Sequence, residues 1–389
     1  MALAEQAVGT EAPLVDLTPY LDGIKDRGDQ NRADRQVSKD SVAELKKAGY
    51  FLSLLPKQYG GYEMGPQEFF RLQMQIAEYD MSTAWIGGII AVHAYQLALM
   101  DPRACEEVYA DDPNTLISSS YNPMGGKVTE APNPEDGLML SGRWGWSSGS
   151  EHCSWALLGA IVPGEGYRTF LVPRGEYVIE DTWHAMGLQG TGSNDVVIEK
   201  PVFVPHHRTH KQMDGFNLVH SQKNPLYNIP WAQWFTRVVS TPAIGAAKHA
   251  LNLFIAASGG SSTDPSKLMG DPDIQRRVAE VANLIDEAEA ILYRNFDRMT
   301  DAVLAGDEIP MIDRARYRYQ AGIVIDKMID AIDLLMDVAG GRSVFTGHPI
   351  QNIWHDIHIA RAHVANNPTP FARNWGGMQL GADNGDVFI

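Results

Sequence analysis

The spacing of apolar positions changes period twice along the chain. From residue 14 to 112 it is helical. The run SKDSVAELKKAG (38–49) opens on a capping serine, keeps Val42, Leu45 and Ala48 on one side and stops at a glycine. PQEFFRLQMQIAEY (66–79) opens with proline in a first turn. TAWIGGIIAVHAYQLALM (83–100) is apolar on every face, which predicts a helix buried in a bundle or an interface, and 102–109 reads as a short closing helix. Beyond Asp111-Asp-Pro113 the texture becomes short β-type runs punctuated by Gly, Pro and Asn, at 115–121, 155–162, 168–172, 177–180, and 196–198 leading to 202–204. After Pro205 the helical period returns in four long runs, 231–258, 272–305, 313–339 and 351–365.

This order predicts an α+β chain with an N-terminal helical domain (1–112), a central all-β insert built as a small barrel or sandwich (113–212) and a C-terminal helical bundle (213–389). Without βαβα alternation or an internal repeat, a doubly wound sheet and a solenoid are both disfavoured.

One stretch breaks the pattern. GRWGWSSGSEHCSW (142–155) sets two tryptophans, paired serines and three glycines between two strand-like apolar runs, with no aliphatic residue among them. Glycine lets backbone approach a ligand closely, serine both donates and accepts, and tryptophan supplies flat apolar walls. That combination suits the edge of a planar cofactor. It equally suits a β-bulge or crossover with core tryptophans.

Composition narrows the partners. The 389 residues, 44% hydrophobic, are enough for a sizeable core, and the net charge of −16 with no local Lys/Arg run argues against nucleic acid. Two cysteines, Cys105 and Cys153, exclude a disulfide framework and fit a reducing cytoplasm. The first twenty residues lack the basic region of a signal peptide, and 83–100, which contains His93, is too short for a membrane span. GLQGTGS (187–193) lacks the G-x-G-x-x-G order and precedes strands, so no means of binding NAD(P)H is visible. His355, Asp356 and His358 make an incomplete ligand set, so no metal is expected, and His206, His207 and His210 read as a solvated loop.

Four separated motifs, ISSSYNPMGG (117–126), GRWGWSSGSEHCSW, MGLQGTGSNDVVIEKPVFVPHHR (186–208) and PIQNIWHDIHIARAHVANNP (349–368), resemble the oxygenase components of two-component flavin-dependent monooxygenases, within the acyl-CoA dehydrogenase superfamily. The seco-steroid phenol hydroxylases are the nearer group and the p-hydroxyphenylacetate hydroxylase oxygenases the more distant. The resemblance implies a central β-barrel, a C-terminal four-helix bundle and a homotetramer. It implies reduced FMN or FAD from a separate NAD(P)H:flavin reductase, O2, a C4a-hydroperoxyflavin, and hydroxylation of a small phenolic substrate ortho to its hydroxyl.

It also implies site residues. Trp144, Trp146, Ser147 and Ser148 would lie along the flavin, with either serine at N5. Thr191 and Ser193 would face the flavin or substrate cavity, and Gly341 and Gln351 would reach a neighbouring subunit's flavin. His93, in a VH-x-x-x-LAL pattern, would line the pocket and bond a substrate oxygen, and Ser120 is favoured among Ser118–Ser120 as the serine near the ring. His363, the histidine of the A-x-x-H pattern in the last helix, would be the base that ionises the phenol. Two departures, His355 and Gln189 where relatives carry arginine, remove fixed cations. A true acyl-CoA dehydrogenase is disfavoured because the tail NWGGMQLGADNGDVFI (374–389) lacks the expected glutamate. Oxygenation of nitrogen or sulfur is the other alternative.

Overall fold

A computed structural model describes residues 14–211, 223–259 and 270–389. The start of the chain and the expected boundary at 212/213 lie outside these residues.

The N-terminal part holds α1 (Leu21–Asp26), α2 (Gly28–Asp34), α3 (Lys39–Lys47), α4 (Pro66–Ala77), α5 (Met81–Ala98) and α6 (Pro102–Tyr109). Ser38 caps α3 as its sequence predicts, accepting from Ser41 N at 3.1 Å. Every residue of α5 is buried, which accounts for its uniform apolarity. Asp80 caps that helix through the N–H of Thr83.

The β part consists of β1 (Ile117–Ser120), β2 (Gly126–Glu130), β3 (Gly137–Ser147), β4 (Trp155–Val162), β5 (Gly166–Pro173), β6 (Val178–Glu180), β7 (Asn194–Pro205) and β8 (Thr209–His210). They form two four-stranded sheets, β1-β4-β5-β8 and β2-β3-β7-β6. The expected barrel is therefore corrected to an open sandwich. Each sheet keeps its own edges, β1 and β8 in one and β2 and β6 in the other, and among the described residues no ladder joins them. Leu140, Trp144, Leu158, Phe170 and Val196 form the core between the sheets. The opposite side of the first sheet, with Ile117, Leu157 and Leu171, packs on α5 and α6. Burial on both faces explains why β4 reads WALLGAIV without alternation.

The C-terminal part holds α7 (Trp231–Val238), α8 (Thr241–Gly259), α9 (Pro272–Ala305), α10 (Met311–Gly322), α11 (Val324–Met336), α12 (Pro349–Ala360) and α13 (Pro368–Gln379). Helices α8, α9, α11 and α12 pack on one another as the expected four-helix bundle. Two long runs divide: 231–258 breaks before Pro242 and 313–339 at Ile323. Helix α13 was hidden by its prolines and by Gly376-Gly377. Among the described residues no helix is long and apolar enough to cross a membrane.

Candidate active site

A cavity of about 420 Å³ opens where α5, the ends of β1 and β3, the 183–193 loop, α7 and the segment after α12 converge. Its walls include Trp85, Ile89, Tyr121, Trp183, Phe235 and Ile359, and its volume falls in the range of small-molecule sites.

The GRWGWSS stretch reaches the cavity through a bulge. In the β3–β7 register Trp144 faces Val196 while Ser147 faces Asn194, so β3 carries one extra residue there, and Trp146 takes a left-handed φ of 67°. The bulge separates the two tryptophans. Trp144 is fully buried in the sandwich core, its indole N–H donating to Gly159 O at 2.7 Å, so its expected place on the flavin is corrected to core packing. Trp146 is 52% exposed, lines the cavity and meets Trp183 edge-on at 5.2 Å. The serines separate in the same way. Ser147 is buried away from the cavity with no partner for its hydroxyl among the described residues, whereas Ser148 lines it.

Ser148 ends a hydroxyl chain whose direction follows from donor bookkeeping. Thr191 Oγ1 contacts Leu188 O at 2.8 Å, and since a carbonyl only accepts, the threonine donates. Ser193, 2.7 Å from Thr191 Oγ1, must then donate to it, and Ser148, 2.8 Å from Ser193, must donate in turn. The Trp85 indole N–H donates to Ser148 Oγ at 3.2 Å. Ser148 has thus spent its proton and one lone pair, and it presents its remaining lone pair to the cavity. Ser148, Thr191 and Ser193 all line that cavity.

At the other side stands a serine–histidine pair. His93 is fully buried and does not line the cavity, which corrects its expected direct contact with substrate. Its Nδ1 lies 2.8 Å from Ile117 O and must donate there, leaving Nε2 to accept the Ser119 hydroxyl at 2.9 Å. Burial lowers the His93 pKa to about 4, so it is neutral at physiological pH. Ser119 lines the cavity. Ser120 also lines it, but its hydroxyl is committed to Gly145 O at 2.6 Å, so the preference for Ser120 is corrected to Ser119. Strand alternation had separated Ser119 from its neighbours, and the side facing α5 turned out to be the useful one.

His363 lines the cavity beside Trp85 and Phe235, with ring centroids 5.9 Å from each. It sits beyond α12 and caps a 3-10 turn rather than belonging to a last helix. Its Nδ1 accepts the N–H of Ala365 at 3.2 Å, which fixes the neutral ring with its proton on Nε2. Burial, reinforced by the nearby Arg318 guanidinium, lowers its pKa to about 4. The expected base is therefore corrected: neutral His363 offers the cavity a donor and no free lone pair.

Several contributors carried no sequence signal. Trp85 is lost in an all-apolar helix, and Trp183 stands in an ordinary loop with its indole N–H on Leu188 O at 2.9 Å. Asp356 stands out in the sequence only as part of an incomplete metal-ligand set. It is buried, holds Arg32 through both oxygens at 3.0 Å and accepts the Leu188 N–H at 2.6 Å. His358 turns instead to Trp354 O. His210 is buried rather than solvated. Gly341 and Gln351 lie outside the cavity lining, with Gln351 bonded to Val344 O at 2.9 Å.

Residues 237–368 match the acyl-CoA dehydrogenase C-terminal domain family. The chain is 35% identical to the flavin-dependent monooxygenase oxygenase subunit HsaA of Mycobacterium tuberculosis, over 97% of this chain and 98% of that one. It is 31% identical to the FADH2-dependent resorcinol hydroxylase oxygenase component of a Rhizobium species, over 94% of each. The crystal structure of 3-HSA hydroxylase from Rhodococcus sp. RHA1 superposes with a TM-score of 0.90 at 34% identity, covering 96% of this chain and 97% of that one. The cavity fits the flavin these relatives require: flat tryptophan walls flank a hydroxyl held as an acceptor, the partner that a reduced flavin's ring N–H needs. The chain belongs to the oxygenase components of two-component flavin-dependent aromatic monooxygenases, built on the acyl-CoA dehydrogenase fold.

Proposed function

We propose that the chain hydroxylates a small phenol at the carbon ortho to its hydroxyl, using reduced FMN or FAD delivered by a separate NAD(P)H:flavin reductase. One atom of O2 enters the ring, the other leaves as water, and the reduced flavin supplies the two electrons. Trp85, Trp146 and Trp183 would wall the flavin ring, and Ser148 would accept from its N5–H. Bound reduced flavin and O2 together supply the electrophilic oxygen.

The observation that carries the phenol assignment is the Ser119–His93 pair opening onto the same cavity as Ser148. A phenol with an ordinary pKa of about 10 attacks weakly until it is ionised. Ser119 Oγ can take the phenolic proton while passing its own to His93 Nε2, the one lone pair its geometry leaves free. The imidazolium would form only opposite the phenolate, whose charge offsets the burial that otherwise keeps the ring neutral. His363 Nε2–H supplies a donor to oxygen at the reacting edge. Oxygenation of nitrogen or sulfur would have no use for the proton relay.

Gly341 and Gln351 we assign to a neighbouring subunit's flavin in a homotetramer. The exposed side chains of Val344 and Phe345, between Gly341 and Gln351, support that assembly. We also place the chain in the cytoplasm; among the described residues no helix is long and apolar enough to cross a membrane.

The test is to reduce flavin anaerobically with the chain, mix it with O2 and a panel of phenols, and quantify hydroxylated product against hydrogen peroxide. A subset of phenols should yield one ortho-hydroxylated product each. Peroxide alone from every phenol would sink the reading. The chain should also leave NADH untouched when free flavin is present without a reductase.

A further inference from the structure

The hydroxyl chain that ends at Ser148 is oriented from its far end, at Leu188. That residue takes a left-handed φ of 49°, a conformation costing a non-glycine residue about 1–2 kcal/mol. Its N–H is held by Asp356 Oδ1 at 2.6 Å, and its carbonyl accepts the Thr191 N–H at 3.1 Å as well as Thr191 Oγ1 and Trp183 Nε1. Asp356, on α12 of the C-terminal bundle, is itself clamped by the forked guanidinium of Arg32, on α2 at the other end of the chain. The loop is pressed onto α12: a Cβ on Gly187 would lie 2.2 Å from His355 O.

The Leu188 carbonyl decides which way the hydroxyls point. Were the chain to run in reverse, Thr191 would donate to Ser193, and two acceptors would face each other at 2.8 Å. With the carbonyl fixed, Ser148 shows the cavity a lone pair and no hydrogen.

We propose that the Arg32–Asp356 pair, acting through Leu188, makes Ser148 an obligate acceptor and so sets the site's preference for reduced over oxidised flavin. Reduced flavin carries N5–H and is matched; oxidised flavin carries a lone pair at N5 and is opposed. Asp356 and Arg32 are positioning residues, and the proposal rests on the reading that Ser148 meets the flavin N5 edge. If Leu188 lost its anchor, its backbone would relax, its carbonyl would swing, and the hydroxyls would reorient to serve either flavin.

The experiment is a flavin-binding titration without turnover. The dissociation constants of the same flavin, oxidised in air and reduced under anaerobic conditions, are measured for the unmodified chain and for Asp356→Asn, Arg32→Lys, Thr191→Val and Thr191→Ser. The unmodified chain should favour the reduced form. Thr191→Val removes only the hydroxyl that reads the Leu188 carbonyl and should shrink that ratio about tenfold, the scale of one matched against one unmatched hydrogen bond. Thr191→Ser should retain the ratio. Asp356→Asn and Arg32→Lys should shrink it likewise, and Asp356→Asn combined with Thr191→Val should add nothing further, because both act on one chain. A ratio unchanged in Asp356→Asn and Arg32→Lys, or independent losses that multiply in the double variant, would overturn the inference while leaving the flavin site standing. Failure of the unmodified chain to bind reduced flavin would overturn both.

Discussion

At the scale of single residues, proton bookkeeping separates two histidines that both lie near the cavity end of the site. His93 keeps a lone pair for Ser119, whereas His363 has given its lone pair to the N–H of Ala365. Ser119→Ala should therefore slow hydroxylation of an ordinary phenol by about two orders of magnitude or more, the scale of general-base catalysis. Phenols made more acidic by fluorine should lose less, since less of their ionisation depends on the protein. His363→Ala should slow turnover but leave the shape of the pH–rate profile unchanged. Stopped-flow product quench across pH 6–9 checks both, and a profile displaced only in the His363 variant would return the base role to that histidine.

At the scale of elements, the site exists because irregular pieces are held against regular ones. The bulge at the end of β3 turns Trp146 and Ser148 to the cavity and keeps Trp144 and Ser147 behind it. The 183–193 loop is held between α2, α5 and α12, with no room at Gly187 for a side chain. Gly187→Ala should force the loop off α12, at about 1–3 kcal/mol of overpacking strain, and break the Leu188–Asp356 bond. Lower thermal stability should accompany weaker binding of reduced flavin. An alanine variant with unaltered melting and unaltered flavin affinity would show that the loop is not wedged as described.

At the scale of the whole molecule, burial of neutral histidines makes stability depend on acid. His93 and His210 have folded pKa values lowered to about 4 by burial, against about 6.5 when unfolded. Between those values only the unfolded chain takes up the proton, so stability is lost as pH falls from 6.5 toward 4, by up to about 1.4 kcal/mol per pH unit for each group. His363, lowered to about 4 by burial and the nearby Arg318, acts in the same sense. Urea midpoints measured from pH 7.5 to 4.5 should fall across that window, and His210→Gln, removing one titrating group, should flatten the fall. A slope identical in the two chains would count against His210 as a buried neutral group.

The sequence alone determined what depends on local periodicity and local chemistry. It placed α3 through α6, β4 and α9 within a residue or two, because period, caps and prolines are written in adjacent positions. Four motifs in order brought the family resemblance forward, and three of them hold Trp146, Ser148, Thr191, Ser193 and His363, which line the cavity. Tertiary structure decided what depends on which way a side chain turns and on what is already spent. A one-residue bulge reversed the facing of Trp144, and an unpaired turn after α12 gave His363 an N–H to accept. Strand pairing at fixed edges opened the expected barrel into two sheets. The partnership of Arg32 with Asp356 joins residues 324 positions apart and left no trace in either local pattern. A hydrogen atom can be donated once, and only the folded neighbourhood shows where each one has gone.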